Sequence, residues 1–139
     1  MSSATMPADV STVVDVVLPH AVTAVPDARR ALARYLKRHR VAKNARDDAQ
    51  LVLSEVLSNA IRYAPPLAAG AVRVSWWVDK TGIHLEVTDG RGETEPQRIT
   101  DAHPESIGGR GLAIVDILTS DWGVRTSEDS RTVYAVVPR

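Results

Sequence analysis

A two-layer α/β (α+β) sandwich, in which one mixed and mostly antiparallel sheet carries its helices on a single face, is the fold this sequence predicts. Three observations predict it. The chain has 139 residues, the size of one ordinary domain. Hydrophobic residues make up 44% and charged residues 24%, close to soluble globular proportions, which excludes a disordered tail or a fibrous repeat. The element order justified below, β-α-α-β-β-α-β-β without internal repeats, lacks the strict alternation of a doubly wound parallel sheet.

The first nine residues, MSSATMPAD, are small and polar. They predict a flexible leader at 1–9 ahead of a single domain at 10–139. Residues 10–18, VSTVVDVVL, are rich in β-branched side chains that suit a pleated surface, and Pro19 stops them. Over 26–40, Ala28, Ala31, Leu32, Tyr35 and Leu36 fall at helical spacings, with Pro26 at an acceptable helix start. The most regular segment is 44–64, where Ala49, Val52, Leu53, Val56, Leu57, Ala60, Ile61 and Ala64 recur at helical intervals until Pro65-Pro66 ends them. Strands at 71–78 and 83–89 flank Asp79-Lys80-Thr81-Gly82, which is turn chemistry and predicts a hairpin. The polar stretch 90–107 is long for a connection in so small a domain and is a lid candidate. A short helix at 111–118 and strands at 122–126 and 132–137 complete the chain.

Seventeen Lys+Arg balance 17 Asp+Glu, so the whole-chain attraction to nucleic acid or an anionic membrane is weak, and no direct nucleic-acid contact is expected. The absence of cysteine excludes a disulfide framework and thiolate metal sites. The apolar run near the start is broken by Asp15 and ended by Pro19, too short for a membrane span. A cytoplasmic chain without a membrane partner is the expectation.

Glu55 and Asn59 stand four residues apart on the long predicted helix, so their heads can meet one small ligand. A carboxylate with a carboxamide suits a hard cation such as Mg²⁺, and the carboxylate alternatively serves as a general base. The same spacing also describes an ordinary pair on a helix surface. Gly108, Gly109, Arg110 and Gly111 open the 111–118 helix, where backbone N–H groups can receive phosphate oxygens or simply form a flexible turn. Neither GxxxxGK[ST] nor GxGxxG is present. Asp89 ends a strand ahead of Gly90-Arg91-Gly92, facing a pocket or capping a turn. Thr132 opens the last strand, where its hydroxyl can contact a base or water or simply belong to an ordinary β-former.

Together, SEVLSNAIRYA, VTDG, GGRGLAIVD, WGV and RTV, in that order, resemble the Bergerat-fold (GHKL) ATPases, and in particular their anti-sigma-factor serine kinase branch. The resemblance extends over about residues 11 to 138 and implies the same two-layer sandwich. It implies ATP and Mg²⁺ as cofactors, Asn59 as the Mg²⁺ ligand, Glu55 as general base and Asp89 as the acceptor of the adenine amino group. Gly109, Arg110 and Gly111 would line the phosphates, Thr132 would lie near the adenine, and Arg62 falls where relatives often keep a basic residue. The implied partners are a sigma factor and an anti-anti-sigma protein that is phosphorylated on serine, and a homodimer is among the assemblies the branch uses. In one place the sequence departs from the family: the usual Asp-x-Gly-x-Gly reads Asp89-Gly90-Arg91-Gly92-Glu93, with the glycines one place early. Two other readings stand beside this one, a protein-binding scaffold with weak or no ATP binding and a detached histidine-kinase catalytic module.

Eight basic residues, Arg29, Arg30, Arg34, Lys37, Arg38, Arg40, Lys43 and Arg46, lie within one stretch that has no acid. That run is a solvated face or a docking surface for an acidic partner. Trp76 and Trp77 are adjacent on a strand, so one should face the helices and the other the open face. His20, His39, His84 and His103 lack metal-ligand spacing and are assigned no catalytic role.

Overall fold

Alternation starts the sheet. The first strand, β1 (Val14–Pro19), alternates half-buried and exposed residues, and it pairs on one side with β2, so its terminal proline deprives no second neighbour of a hydrogen bond. In the computed structural model, which describes residues 12–91 and 110–139, β1 leads into α1 (Ala24–Arg38) and α2 (Lys43–Tyr63). Then come β2 (Ala71–Asp79), β3 (Gly82–Gly90), α3 (Arg110–Leu118), β4 (Asp121–Thr126) and β5 (Ser130–Val137). A single 3-10 turn, Ala68–Gly70, precedes β2. The predicted leader and nearly all of the lid candidate lie outside the described residues. The element order is the predicted one.

The sheet runs β1-β2-β3-β5-β4, and every neighbouring pair is antiparallel, where the sequence had allowed a mixed sheet. Connectivity explains the difference. The two helices return the chain to the end of the sheet it left, with Ala71 opposite Pro19, so β2 runs against β1. The single helix α3 gives β3 and β4 the same direction, but β5 inserts between them and opposes both.

The helices lie on one face. α1 buries Ala24, Ala28, Leu32, Tyr35 and Leu36, and α2 buries Ala45, Ala49, Val52, Leu53, Val56, Leu57 and Ala60. These pack on Val72, Val74, Trp76 and Val78 of β2, Ile83, Leu85 and Val87 of β3, and Val133, Ala135 and Val137 of β5. α2 stops where it must. Ala64, the residue before Pro65, is extended at φ −117° and ψ 150°, because the proline ring excludes the helical region for its predecessor.

The two tryptophans divide as predicted. Trp76 is buried among the helices, its ring edge-on to Tyr35 at 6.4 Å. Trp77 stacks on His84 on the open face, with centroids 4.9 Å apart and planes 7° from parallel. A groove of about 650 Å³ crosses that open face past Asp15, Trp77, Glu86 and Tyr134. It holds none of the sequence-predicted site residues.

Candidate nucleotide site

α2 supplies the first part of the site. Its buried stripe is bordered by Glu55 and Asn59, both half-buried and one helical turn apart. The Asn59 amide nitrogen is buried without a hydrogen-bond partner. Glu55 forms no ion pair among the described residues.

The end of β3 supplies the second part. Period-two alternation turns Ile83, Leu85 and Val87 toward the helices, and Asp89 continues that row. Its carboxylate is wholly buried. Burial pushes the carboxyl up to about 6, against the opposing pull of Arg131 and His20. Oδ2 accepts a hydrogen bond from the Arg131 guanidinium at 3.4 Å, whereas Oδ1 is buried without a partner.

Backbone contacts fix these two parts relative to each other. The Gly90 N–H donates to the Pro65 carbonyl at 2.8 Å, and a side chain at Gly90 would fall on the Pro66 carbonyl oxygen. The glycine that stands one place early is therefore required by the close approach of the α2–β2 connection. Its neighbour Arg91 donates to the Ser127 carbonyl at 2.9 Å, in the turn between β4 and β5. On the opposite flank, His20 Nε2 lies 3.2 Å from the Ala60 carbonyl, which can only accept, so that nitrogen carries the hydrogen. The turn after β1 is thereby tied to the same end of α2.

Not every predicted residue joins this group. Thr132 was placed near the adenine, yet its side chain lies on the open face, with Oγ1 2.8 Å from that of Thr88. The physical reason is alternation: Val133, Ala135 and Val137 face the helices, so Thr132 must face away and Arg131 takes the helix side. Arg110 and Gly111 belong to the first turn of α3, and Gly109 lies outside the described residues. Arg62 is exposed, with its guanidinium 5.8 Å from the Tyr63 ring centroid. Arg131 was missed, although its signal was present: by the alternation of SRTVYAVV it belongs to the apolar row, where a cation calls for a buried acid.

A buried strand-end carboxylate with one unsatisfied oxygen, on a two-layer sandwich whose helical layer carries a carboxylate and a carboxamide one turn apart, lays out a candidate nucleotide-binding module. The chain belongs to the histidine kinase-like ATPase domain family, whose model matches residues 18–137. It is 28% identical over 97 residues to the phosphate regulon sensor protein PhoR of Pseudomonas aeruginosa, a match that covers 56% of this chain and 21% of that protein. Its fold is similar to that in the crystal structure of the RsbU and RsbW domains of Rv1364c from Mycobacterium tuberculosis, with a TM-score of 0.68 and 16% identity over 92% of this chain and 32% of that one. The chain thus spans about a fifth of PhoR and about a third of the Rv1364c chain.

Family membership implies ATP, and the described residues fit it. The orphaned Oδ1 of Asp89 is an acceptor awaiting a donor, and a buried unsatisfied acceptor costs about 1–3 kcal/mol until one arrives. The Asn59 carboxamide carries a hard oxygen, and Mg²⁺ characteristically takes one or two protein ligands and completes its shell with phosphate oxygens and water.

Proposed function

We propose that this chain is an ATP- and Mg²⁺-binding regulatory serine kinase of the anti-sigma type, which sequesters a sigma factor and phosphorylates a serine of an antagonist protein. The observation that carries the nucleotide part of this reading is the wholly buried Asp89 with one oxygen paired and one oxygen orphaned. In this reading Asp89 accepts the adenine amino group through Oδ1, and Asn59 holds Mg²⁺ through its amide oxygen. The metal, when bound, offsets phosphate charge and orients the transferring group. Glu55 accepts the proton of the serine hydroxyl, and the backbone N–H groups at the start of α3 face the phosphates. The sigma factor and the antagonist are supported by the sequence resemblance and by the fold shared with the Rv1364c domains.

Calorimetry with and without Mg²⁺ tests the site. ATP binding should be Mg²⁺-dependent and lost in Asn59→Ala and Asp89→Ala. Glu55→Gln should keep ATP affinity within about threefold while phosphate transfer to a serine-bearing antagonist falls by about 10²-fold or more. Transfer that survives Glu55→Gln would remove its assignment as base.

One observation favours a second reading, a protein-binding scaffold with weak or no ATP binding. Gly90 serves the packing against Pro66, so the displaced glycine box has a structural duty that needs no phosphate. A folded wild type without measurable ATP affinity would select the scaffold. The likeness to PhoR keeps a third reading open to the same assays, a detached histidine-kinase module, which would transfer phosphate to histidine in place of serine.

A further inference from the structure

We propose that Arg131 is the positioning residue that sets base specificity in this site: by holding Oδ2 of Asp89 in a buried ion pair, it keeps the carboxylate a pure acceptor with one oxygen free for the base. This rests on the ATP-site reading above. The two residues face each other directly in the β3–β5 register. Their side chains are 19% and 0% exposed, with Nη2 3.4 Å from Oδ2. The pair divides the carboxylate, since Oδ2 is engaged while Oδ1 has no partner. Arg131 Nε is buried without a partner as well, so a shift of the guanidinium toward Asp89 would break no other hydrogen bond at that atom.

The chemistry follows from what a carboxyl group can do in its two states. An ionised carboxylate only accepts, whereas a protonated one also donates. Adenine presents an amino donor at its six position, and hypoxanthine presents an oxygen acceptor there. A carboxylate held ionised opposite the six position therefore pairs with the adenine amino group and is repelled by the six-oxo group, and it can meet the six-oxo base only through the neighbouring N1–H, which requires the base to shift from the adenine pose. A neutral carboxyl could satisfy either. The charged groups acting on Asp89 are Arg131 from β5 and His20 from the turn after β1; α2, packed against β3, adds none. Burial already raises the carboxyl to about 6, so loss of the guanidinium would carry it further upward toward neutral pH.

The test is calorimetric titration of wild type, Arg131→Met, Arg131→Gln and Arg131→Lys with ATP and with inosine triphosphate between pH 5.5 and 8.5, with melting curves to establish folding. Wild type should prefer ATP by roughly tenfold or more at pH 7.5, and the preference should shrink as pH falls through about 6. Arg131→Met and Arg131→Gln should lower ATP affinity at pH 7.5, narrow the ATP-to-inosine ratio and move the pH midpoint upward. Arg131→Lys should restore both. A merely structural arginine would weaken both nucleotides equally and leave the ratio unchanged, which overturns the proposal. Should the neutral variants fail to fold, a wild-type ratio that is flat with pH overturns it equally well. Folded wild type that binds neither nucleotide rejects the ATP-site reading and the proposal with it; wild type that binds ATP beside an Arg131→Met variant of unchanged ratio and midpoint rejects the proposal alone.

Discussion

At Asp89 a single buried carboxyl links folding to nucleotide binding. Its ordinary value is 3.8 and burial raises it to about 6, so the folded chain binds this proton more tightly than the unfolded chain does. The sign follows: the penalty is absent below about 4, grows as pH rises through about 6, and is constant above. The separation of those two values corresponds to about 3 kcal/mol, a cost the free protein bears at neutral pH. Denaturant melts of wild type and Asp89→Asn at pH 4.5 and 7.5 should show wild type losing more stability across that interval. Equal losses would mean that the carboxyl is ordinary. Asp89 and its glycine were legible as a motif, and Glu55 and Asn59 as a helical pair. Arg131 was not read, because a motif match fixes the identity of Thr132 without the phase of its strand, and phase decides which face a side chain occupies.

Elements depend on a few junctions where backbone meets backbone. At Gly90 the end of β3 touches Pro65 and Pro66 so closely that no Cβ fits. Gly90→Ala should destabilise the fold by about 2 kcal/mol or more, with a lower melting temperature and a larger loss of nucleotide affinity than Arg91→Ala. At the β2–β3 turn, burial raises the Asp79 carboxyl, but hydrogen bonds from the Thr81 side chain and backbone and from His84 outweigh it and hold the group below its ordinary value. The stabilisation is therefore present above about 4 and lost as pH falls below that. Thr81→Val removes the hydroxyl donor to Asp79; it should cost about 1 kcal/mol at pH 7 and much less at pH 2, measured by chemical denaturation. Gly82, which follows this two-residue turn and opens β3, stands at φ 145°, and a Cβ there would fall on the Val137 carbonyl oxygen. Helices and strands were readable because their apolar periods extend over many residues. Their ends shifted by a few residues where the pattern is thin: β1 begins at Val14 and α1 at Ala24, ahead of the proline that marked its expected start.

For the whole molecule, the layer architecture followed from element order, while the uniformly antiparallel sheet required knowing that β5 inserts between β3 and β4, a long-range pairing that no local pattern announces. Charge is organised on the same scale. The chain is neutral overall, yet eight of its 17 basic residues lie between Arg29 and Arg46. Three are engaged: Arg30 with Asp27 at 2.7 Å, Lys43 with Asp47 at 2.8 Å, and Arg46 with the Val41 carbonyl. Arg29, Arg34, Lys37, Arg38 and Arg40 are exposed and form no ion pair with a described acid. A solvated face would tolerate reversal of its charge; a docking face would not. If this surface receives an acidic partner, Arg34→Glu with Arg38→Glu should weaken capture of a sigma factor or antagonist by roughly tenfold at low salt, chiefly through slower association. The deficit should shrink as salt rises from 50 to about 300 mM, because screening removes the attraction the variant lacks. ATP affinity should stay at the wild-type value, since both arginines are on α1, outside the Asn59 and Asp89 group. Unchanged partner binding at every salt concentration would return this face to the role of a solvated helix and direct the search for a docking surface to the open sheet, where Trp77 and His84 stack beside the Glu86–Arg125 pair.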